Sequence, residues 1–233
     1  MIDINVIGSS SKGNAYLISD GRSQLRQECG INFKEIQKAA GFKTSNLAGC
    51  LITHEHKDHC SAIKEVTRAG IDCYMSQGTA DAIGYQHHRI KPVKARQQFQ
   101  IGDWTILPFD VQHDVSEPLG FLLANKNGAK ILFATDTYYI KYKFKGLTHV
   151  MVECNYSLNI LNENIESGRV PKVMRKRLLR SHFSLEHVKE FLKSNNLSSV
   201  EAIYLLHLSD NNSDEKRFKE EVQQVTGKPV YIA

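Results

Sequence analysis

The sequence contains no CxxC pair, and its five cysteines (Cys29, Cys50, Cys60, Cys73, Cys154) are odd in number and scattered. That usage excludes a disulfide framework and a thiolate zinc knuckle as expectations, and a reducing cytoplasm fits it best. No apolar run reaches the roughly 18 residues of a membrane-spanning helix, so no membrane partner is expected. The opening MIDINVIGSSSKGN has no basic stretch followed by an apolar core, so no secretory signal is expected. There is no internal repeat, low-complexity tract or Gly/Ser/Pro-rich linker to mark a domain boundary.

What is present is ordinary for a folded protein. The chain has 233 residues, 41% hydrophobic and 24% charged, which is long enough to bury a sizeable core. One domain spanning 1–233 is the expectation. Thirty Lys and Arg against 25 Asp and Glu leave a net charge of +5, a mild excess that favours approach to an anionic partner without requiring one. No obligate protein partner is indicated.

Ile2, Ile4 and Val6 alternate with polar residues and predict a strand, followed by a turn over Gly8–Gly13 and a second strand through Ile18. Asn32 caps a helix ending at Gly41, Cys50–Ile52 is a short apolar strand, and residues 61–69 return to helix. Phe99–Ile101, Trp104–Val111, Gly120–Ala124 and Lys130–Ala134 read as successive strands. Val150–Val152 and Ala202–Leu206 read as buried strands bracketing helices near 158–166, 170–180 and 185–194. Strands and helices are mixed, with both sheet faces covered, an α/β class.

At the end of an apolar strand stands His54-x-His56-x-Asp58-His59, three imidazoles and a carboxylate within six residues. These donors lose their protons easily at neutral pH and suit zinc, manganese or iron. His54 and His56 alternate along an extended segment and share a side, whereas Asp58 and His59, past the turn, can face a second position. Further ligands must come from later strand ends. His113, Asp136 and His207 each follow an apolar run, where a rigid support delivers a side chain to a rim.

This order of residues resembles the metallo-β-lactamase fold superfamily. Gly8-Ser9-Ser10-Ser11-Lys12-Gly13-Asn14, His113-Asp114-x-x-Glu117-Pro118-x-Gly120-Phe121, Thr135-Asp136-Thr137 and His207-Leu208-Ser209-x-x-Asn211-Asn212 resemble its YycJ/WalJ-type branch of cytoplasmic nucleases, over nearly the whole chain. The resemblance implies a four-layer αββα sandwich without a large inserted domain. It also implies two divalent cations (zinc, manganese or iron, with magnesium possible): one held by His54, His56 and His113, the other by Asp58, His59 and His207, with Asp136 bridging. The bridging hydroxide would be the nucleophile, with Asp58 holding it by a hydrogen bond as well as serving as ligand. Glu153 and His182 resemble the pair that acts near the leaving group in the tRNase Z branch, the reading preferred to one in which Ser181 or Ser184 caps the next helix with His182 merely beside it. One departure stands out: the superfamily's buried Asp before the first helix is replaced by Glu28, preceded by Arg26 and Gln27 in a strand that is normally apolar.

Six basic residues and no acid lie between Arg169 and Arg180, a run read either as a solvated helix face or as a phosphate track that includes Arg175 and Arg177. Ser10, Ser11 and Asn14 are candidates to meet a phosphate, as are Asn211 and Asn212, which could instead cap a helix starting near Ser213. Tyr138–Lys145, where lysines alternate with aromatics, reads as a half-buried strand in preference to a base-stacking surface. The resulting expectation is a metal-dependent phosphodiesterase acting on nucleic acid, with a 5′ exonuclease on DNA implied by the resemblance. The alternatives are a small-molecule metallohydrolase acting on a cyclic phosphodiester, lactone or thioester, and a non-catalytic nucleic-acid-binding module.

Overall fold

The computed structural model describes residues 2–233. It divides into two compact units, one running to Asp110 and including Val115–Gly128, the other comprising Val111–Asp114 and Ala129–Ala233.

The first unit opens with β1 (Asp3–Ser10), β2 (Gly13–Ser19) and β3 (Gln24–Gln27), followed by α1 (Phe33–Ala39), which Asn32 caps by accepting from the Lys34 N–H. Next come β4 (Leu47–Leu51), the short α2 (Lys57–Cys60), α3 (Ile63–Arg68), β5 (Cys73–Met75), α4 (Gln77–Ile83) and β6 (Ile90–Pro92). The strands form one mixed sheet in chain order, antiparallel from β1 to β3 and parallel from β3 to β6. Ile36 of α1 and Ile63 and Val66 of α3 bury with Leu17, Cys50, Ile52 and Met75 of the sheet. Antiparallel pairing also joins β7 (Phe99–Ile101), β8 (Trp104–Asp110) and β9 (Leu119–Asn125).

The second unit is a parallel array of β10 (Lys130–Ala134), β11 (His149–Glu153), β12 (Ala202–Leu206) and β13 (Val230–Ile232). Between β11 and β12 run α5 (Leu158–Glu166), α6 (Lys172–Ser181) and α7 (Leu185–Ser194), and α8 (Glu215–Thr226) precedes β13. Every residue of β11 is buried, as a parallel strand covered on both faces requires. Helix α7 contributes Leu185, Val188, Phe191 and Leu192 to the buried interior, and α8 contributes Phe218 and Val222.

Three local readings are corrected. Gly8–Ser10 continues β1, so only Ser11 and Lys12 form the hairpin turn. Tyr138–Lys145 contains no strand, because its backbone groups are already engaged: the Tyr138 N–H donates to the Gln112 carbonyl, the Thr137 hydroxyl bonds both the N–H and the carbonyl of Tyr139, and the Phe144 N–H donates to Asn195 Oδ1. Ile140 and Phe144 bury instead of alternate residues. Neither Asn211 nor Asn212 caps α8; Asp214 does, accepting from the Arg217 N–H.

Candidate metal centre

In the first unit, β4 runs through Ile52 and Thr53 into His54, and His56 stands at the start of α2, which carries Asp58 and His59. The Cys29–Gly30 segment clamps α2. The Cys29 N–H donates to the His59 carbonyl at 2.8 Å, and the Ala62 N–H to the Cys29 carbonyl at 2.9 Å. Gly30 lies so close that a Cβ built there would stand 1.6 Å from the Asp58 carbonyl oxygen. Gly30→Ala is therefore expected to displace α2, costing more than the roughly 1–3 kcal/mol of ordinary overpacking. A thermal melt and the metal content of the purified variant, both lowered, check it.

Ring nitrogens converge in this cluster. His54 Nε2 and His56 Nδ1 are 3.0 Å apart, close to the ~3.3 Å that two nitrogens span when both bind one tetrahedral ion. The Thr53 hydroxyl meets the other nitrogen of His54 at 2.9 Å. His59 Nε2 lies 3.3 Å from Asp58 Oδ2, and its Nδ1 lies 3.5 Å from Glu28 Oε1. A carboxylate facing the second nitrogen of an imidazole sets its tautomer and aims the first.

Glu28 thus takes up the orienting position despite its extra methylene. It is fully buried, adopts a left-handed backbone (φ 61°), and both its oxygens lie within 3.4 Å of the Thr53 N–H. Burial pushes its carboxyl above the ordinary range, with the His59 ring pulling it back down. Arg26 is buried as well; its Nε donates to the Glu28 carbonyl at 2.9 Å, whereas Nη1 and Nη2 have no partner among the described residues. Glu28→Gln sets an amide NH₂ against the Thr53 N–H and is expected to weaken cation affinity about 10–100-fold. Calorimetric titration of metal into the stripped protein reads this out.

In the second unit the chemistry again sits at strand ends. Asp136 follows β10 and His207 follows β12, each in a left-handed conformation (φ 46° and 53°). Such geometry costs roughly 1–3 kcal/mol per residue, and Asp and His tolerate it better than most. His207 Nδ1 lies 3.1 Å from Asp136 Oδ1, and His113 Nε2 lies 3.8 Å from Asp136 Oδ2. The other nitrogen of His113 donates to the Ser181 carbonyl at 2.9 Å. Burial pulls His113 below the ordinary histidine range, which keeps it in the neutral form that a ligand needs.

Glu153, the last residue of β11, is fully buried and surrounded by donors. Its Oε1 accepts from His182 Nδ1 at 2.5 Å and lies 3.3 Å from His207 Nδ1; its Oε2 accepts the N–H groups of Thr137 (2.9 Å) and Phe183 (3.1 Å). Burial opposes a charged His182, yet the carboxylate beside it raises the ring above the ordinary histidine range. Ligand atoms of Asp136, Glu153, His182 and His207 lie within 4.8 Å of one another. The capping reading of Ser184 also holds, since its hydroxyl accepts from the His187 N–H; one short segment both starts α7 and presents His182.

The proposed substrate contacts fare differently. Ser11, Arg175, Arg177 and Asn211 are exposed and Ser10 is half-buried. Asn14 is fully buried, its amide lying within 3.4 Å of Asp58 Oδ2 and 3.2 Å of His59 Nε2, so it props the metal-ligand loop. Asn212 is buried and accepts from the Asn164 amide, tying α5 to the segment after β12. A short polar residue in a Gly/Ser loop looks the same in sequence whether it faces in or out. Residues not singled out as site residues include Thr53, Thr137 and Asn155, whose amide donates to the His207 carbonyl at 2.8 Å. Each lies within two residues of a candidate in sequence, the one available signal.

The family described as the beta-lactamase superfamily domain matches residues 23–162. The chain belongs to that superfamily. Over 238 residues it is 26% identical to the exodeoxyribonuclease YycJ of Bacillus anthracis, covering 96% of this chain and 89% of the relative. It is equally identical over 226 residues to the exodeoxyribonuclease WalJ of Streptococcus pneumoniae, covering 90% and 82%. Among solved structures, the metallo-beta-lactamase fold protein YhfI from Bacillus subtilis superposes with a TM-score of 0.75 at 16% identity, covering all of this chain and 95% of that one. The fold expected from the residues is thereby borne out: this superfamily member is an α/β hydrolase with the metallo-β-lactamase fold. Divalent metal ions are implied by that fold, and the imidazole and carboxylate donors of both clusters suit them. No helix among the described residues is long and apolar enough to cross a membrane.

Proposed function

We propose that the chain is a dinuclear metal-dependent phosphodiesterase that hydrolyses nucleic acid, as a 5′ exonuclease on DNA. The observation that carries this reading is the Glu153–His182 pair, a buried carboxylate gripping an imidazole beside Asp136 and His207. Cleavage of a phosphodiester by water expels an alkoxide, and a held imidazolium is suited to protonate it. With Nδ1 bound to Glu153, Nε2 is the atom that passes the proton. Glu153 has no exposed surface and acts through His182 as a positioning residue.

In this reading His54, His56 and His113 would hold one cation and Asp58, His59 and His207 the second, with Asp136 shared, and residues 1–233 would work as one catalytic domain. The donor set accommodates zinc, manganese or iron, with magnesium possible. Bound there, the cations supply an activated water and neutralise charge on the attacked phosphoryl group. Asp58, whose side chain is 23% exposed, would accept a hydrogen bond from an attacking water and orient it.

A polymer substrate is supported by α6. Lys172, Arg175, Lys176, Arg177 and Arg180 are exposed on a helix with no acidic residue, and its end leads directly into His182. A phosphate backbone laid on that face meets only positive charge before it reaches the proton donor. The relatives named exodeoxyribonucleases support DNA as the polymer, and the 5′ polarity rests on the resemblance to the YycJ/WalJ-type branch. The five free, buried thiols support a cytoplasmic setting.

The test incubates metal-loaded protein with end-labelled single- and double-stranded DNA and RNA beside bis(p-nitrophenyl) phosphate. Release of nucleotides from 5′-phosphorylated DNA is the expected result. Activity on the small ester but on no polymer would replace this reading with a small-molecule metallohydrolase. Activity on neither, with zinc, manganese or magnesium, would leave a non-catalytic binding module.

A further inference from the structure

The segment after Thr137, expected as a strand, instead forms one wall of a groove of about 470 Å³, a volume typical of small-ligand sites. Tyr139 and Tyr142 line that wall, Phe183 and Phe191 line the opposite one, and Lys141 and Lys143 stand among the aromatics. The groove is not sealed by its own side chains. Tyr139 is 55% exposed, and both lysines are exposed. One carboxylate, Glu190, also lines it.

Its position ties it to the site. One wall begins at Tyr138, directly after Thr137, and the other includes Phe183; the N–H groups of Thr137 and Phe183 bind the same oxygen of Glu153. Phe183 directly follows His182. A strand whose phosphate lies at His182 therefore has this groove as the next surface for its bases. Aromatic rings offer flat faces to any nucleobase, whereas lysines between them neutralise the flanking phosphates. Bases that are paired inside a duplex present no free face to such a groove.

We propose that this groove is a base-stacking subsite that takes the unpaired nucleobases of a single-stranded nucleic acid, with Tyr139 as the principal stacking ring and Lys143 as a phosphate contact. The inference rests on the proposed nuclease reading and sharpens it to a preference for single-stranded substrate. A phosphate track alone would bind a strand without bases as well as one with them; a stacking groove does not.

The test uses metal-loaded protein and fluorescein-labelled oligothymidylate, with an abasic oligomer of equal length as control. Wild type should bind the base-bearing strand in preference to the abasic one by anisotropy. Tyr139→Ala should weaken binding of the base-bearing strand about ten- to a hundredfold, and leave the abasic strand and the rate on bis(p-nitrophenyl) phosphate unchanged. Tyr139→Phe, which keeps the ring, should bind like wild type. Equal affinity of wild type for the two strands, or an unchanged affinity in Tyr139→Ala, overturns the subsite. Preferential binding of the base-bearing strand without hydrolysis supports the subsite while removing the nuclease reading, so the two failures are distinguishable.

Discussion

Asp136→Ala is expected to empty the centre: metal content should fall from about two ions per chain toward none, and hydrolysis with it. The reason lies in how one carboxylate is shared. Its Oδ1 faces His207 Nδ1 at 3.1 Å and also accepts the Thr135 hydroxyl at 2.9 Å, while its Oδ2 faces His113 Nε2 at 3.8 Å. It is 3% exposed and its backbone is held in the left-handed region, which fixes the carboxylate where it meets both imidazoles. Alanine would leave His113 and His207 without the anion set between them. Elemental analysis after dialysis against a weak chelator gives the readout, and retention of both ions at full rate would remove the bridging role.

His182→Ala is expected to lower turnover by about 10²–10⁴, the usual range for loss of a general acid, with metal content unchanged. Loss of metal in that variant would mean that His182 is a ligand instead. The pH profile separates these further. Since Glu153 raises His182 above the ordinary histidine range against the opposing effect of burial, the ring keeps its proton to higher pH than a free imidazole does, and the rate should decline as pH rises past that elevated value. Glu153→Gln removes the charge that holds the proton, so the alkaline decline should move to lower pH. A profile of kcat against pH for wild type and Glu153→Gln checks the direction.

These residues differ in how much of their placement is legible along the chain. Asp136 and His207 were legible because each polar ligand type follows a short apolar run, and a strand that must stay in a core leaves its first polar residue at the rim. His182 was legible only through its likeness to a known pair, because a histidine between a basic helix and a serine cap has no periodic signature of its own. Its bond to Glu153 joins residues 29 apart in sequence, a separation that no local pattern reports.

Tyr138–Lys145 shows the converse. Alternation of aromatic and basic residues is a fair strand signal when a neighbouring strand can receive the ladder bonds. Here Gln112, Thr137 and Asn195 take those bonds, and the segment becomes a groove wall. Asn14 and Asn212 likewise reach inward to polar partners rather than outward to solvent.

The linear order of residues by itself determined the α/β class and, through its resemblance to known motifs, the superfamily, since each depends on residue type and local spacing. Tertiary structure alone decided that Glu28 meets His59, that four donors enclose Glu153 and that a loop opens into an aromatic groove. Those outcomes depend on which distant backbone amides and side chains are brought within hydrogen-bonding range, and packing sets that range.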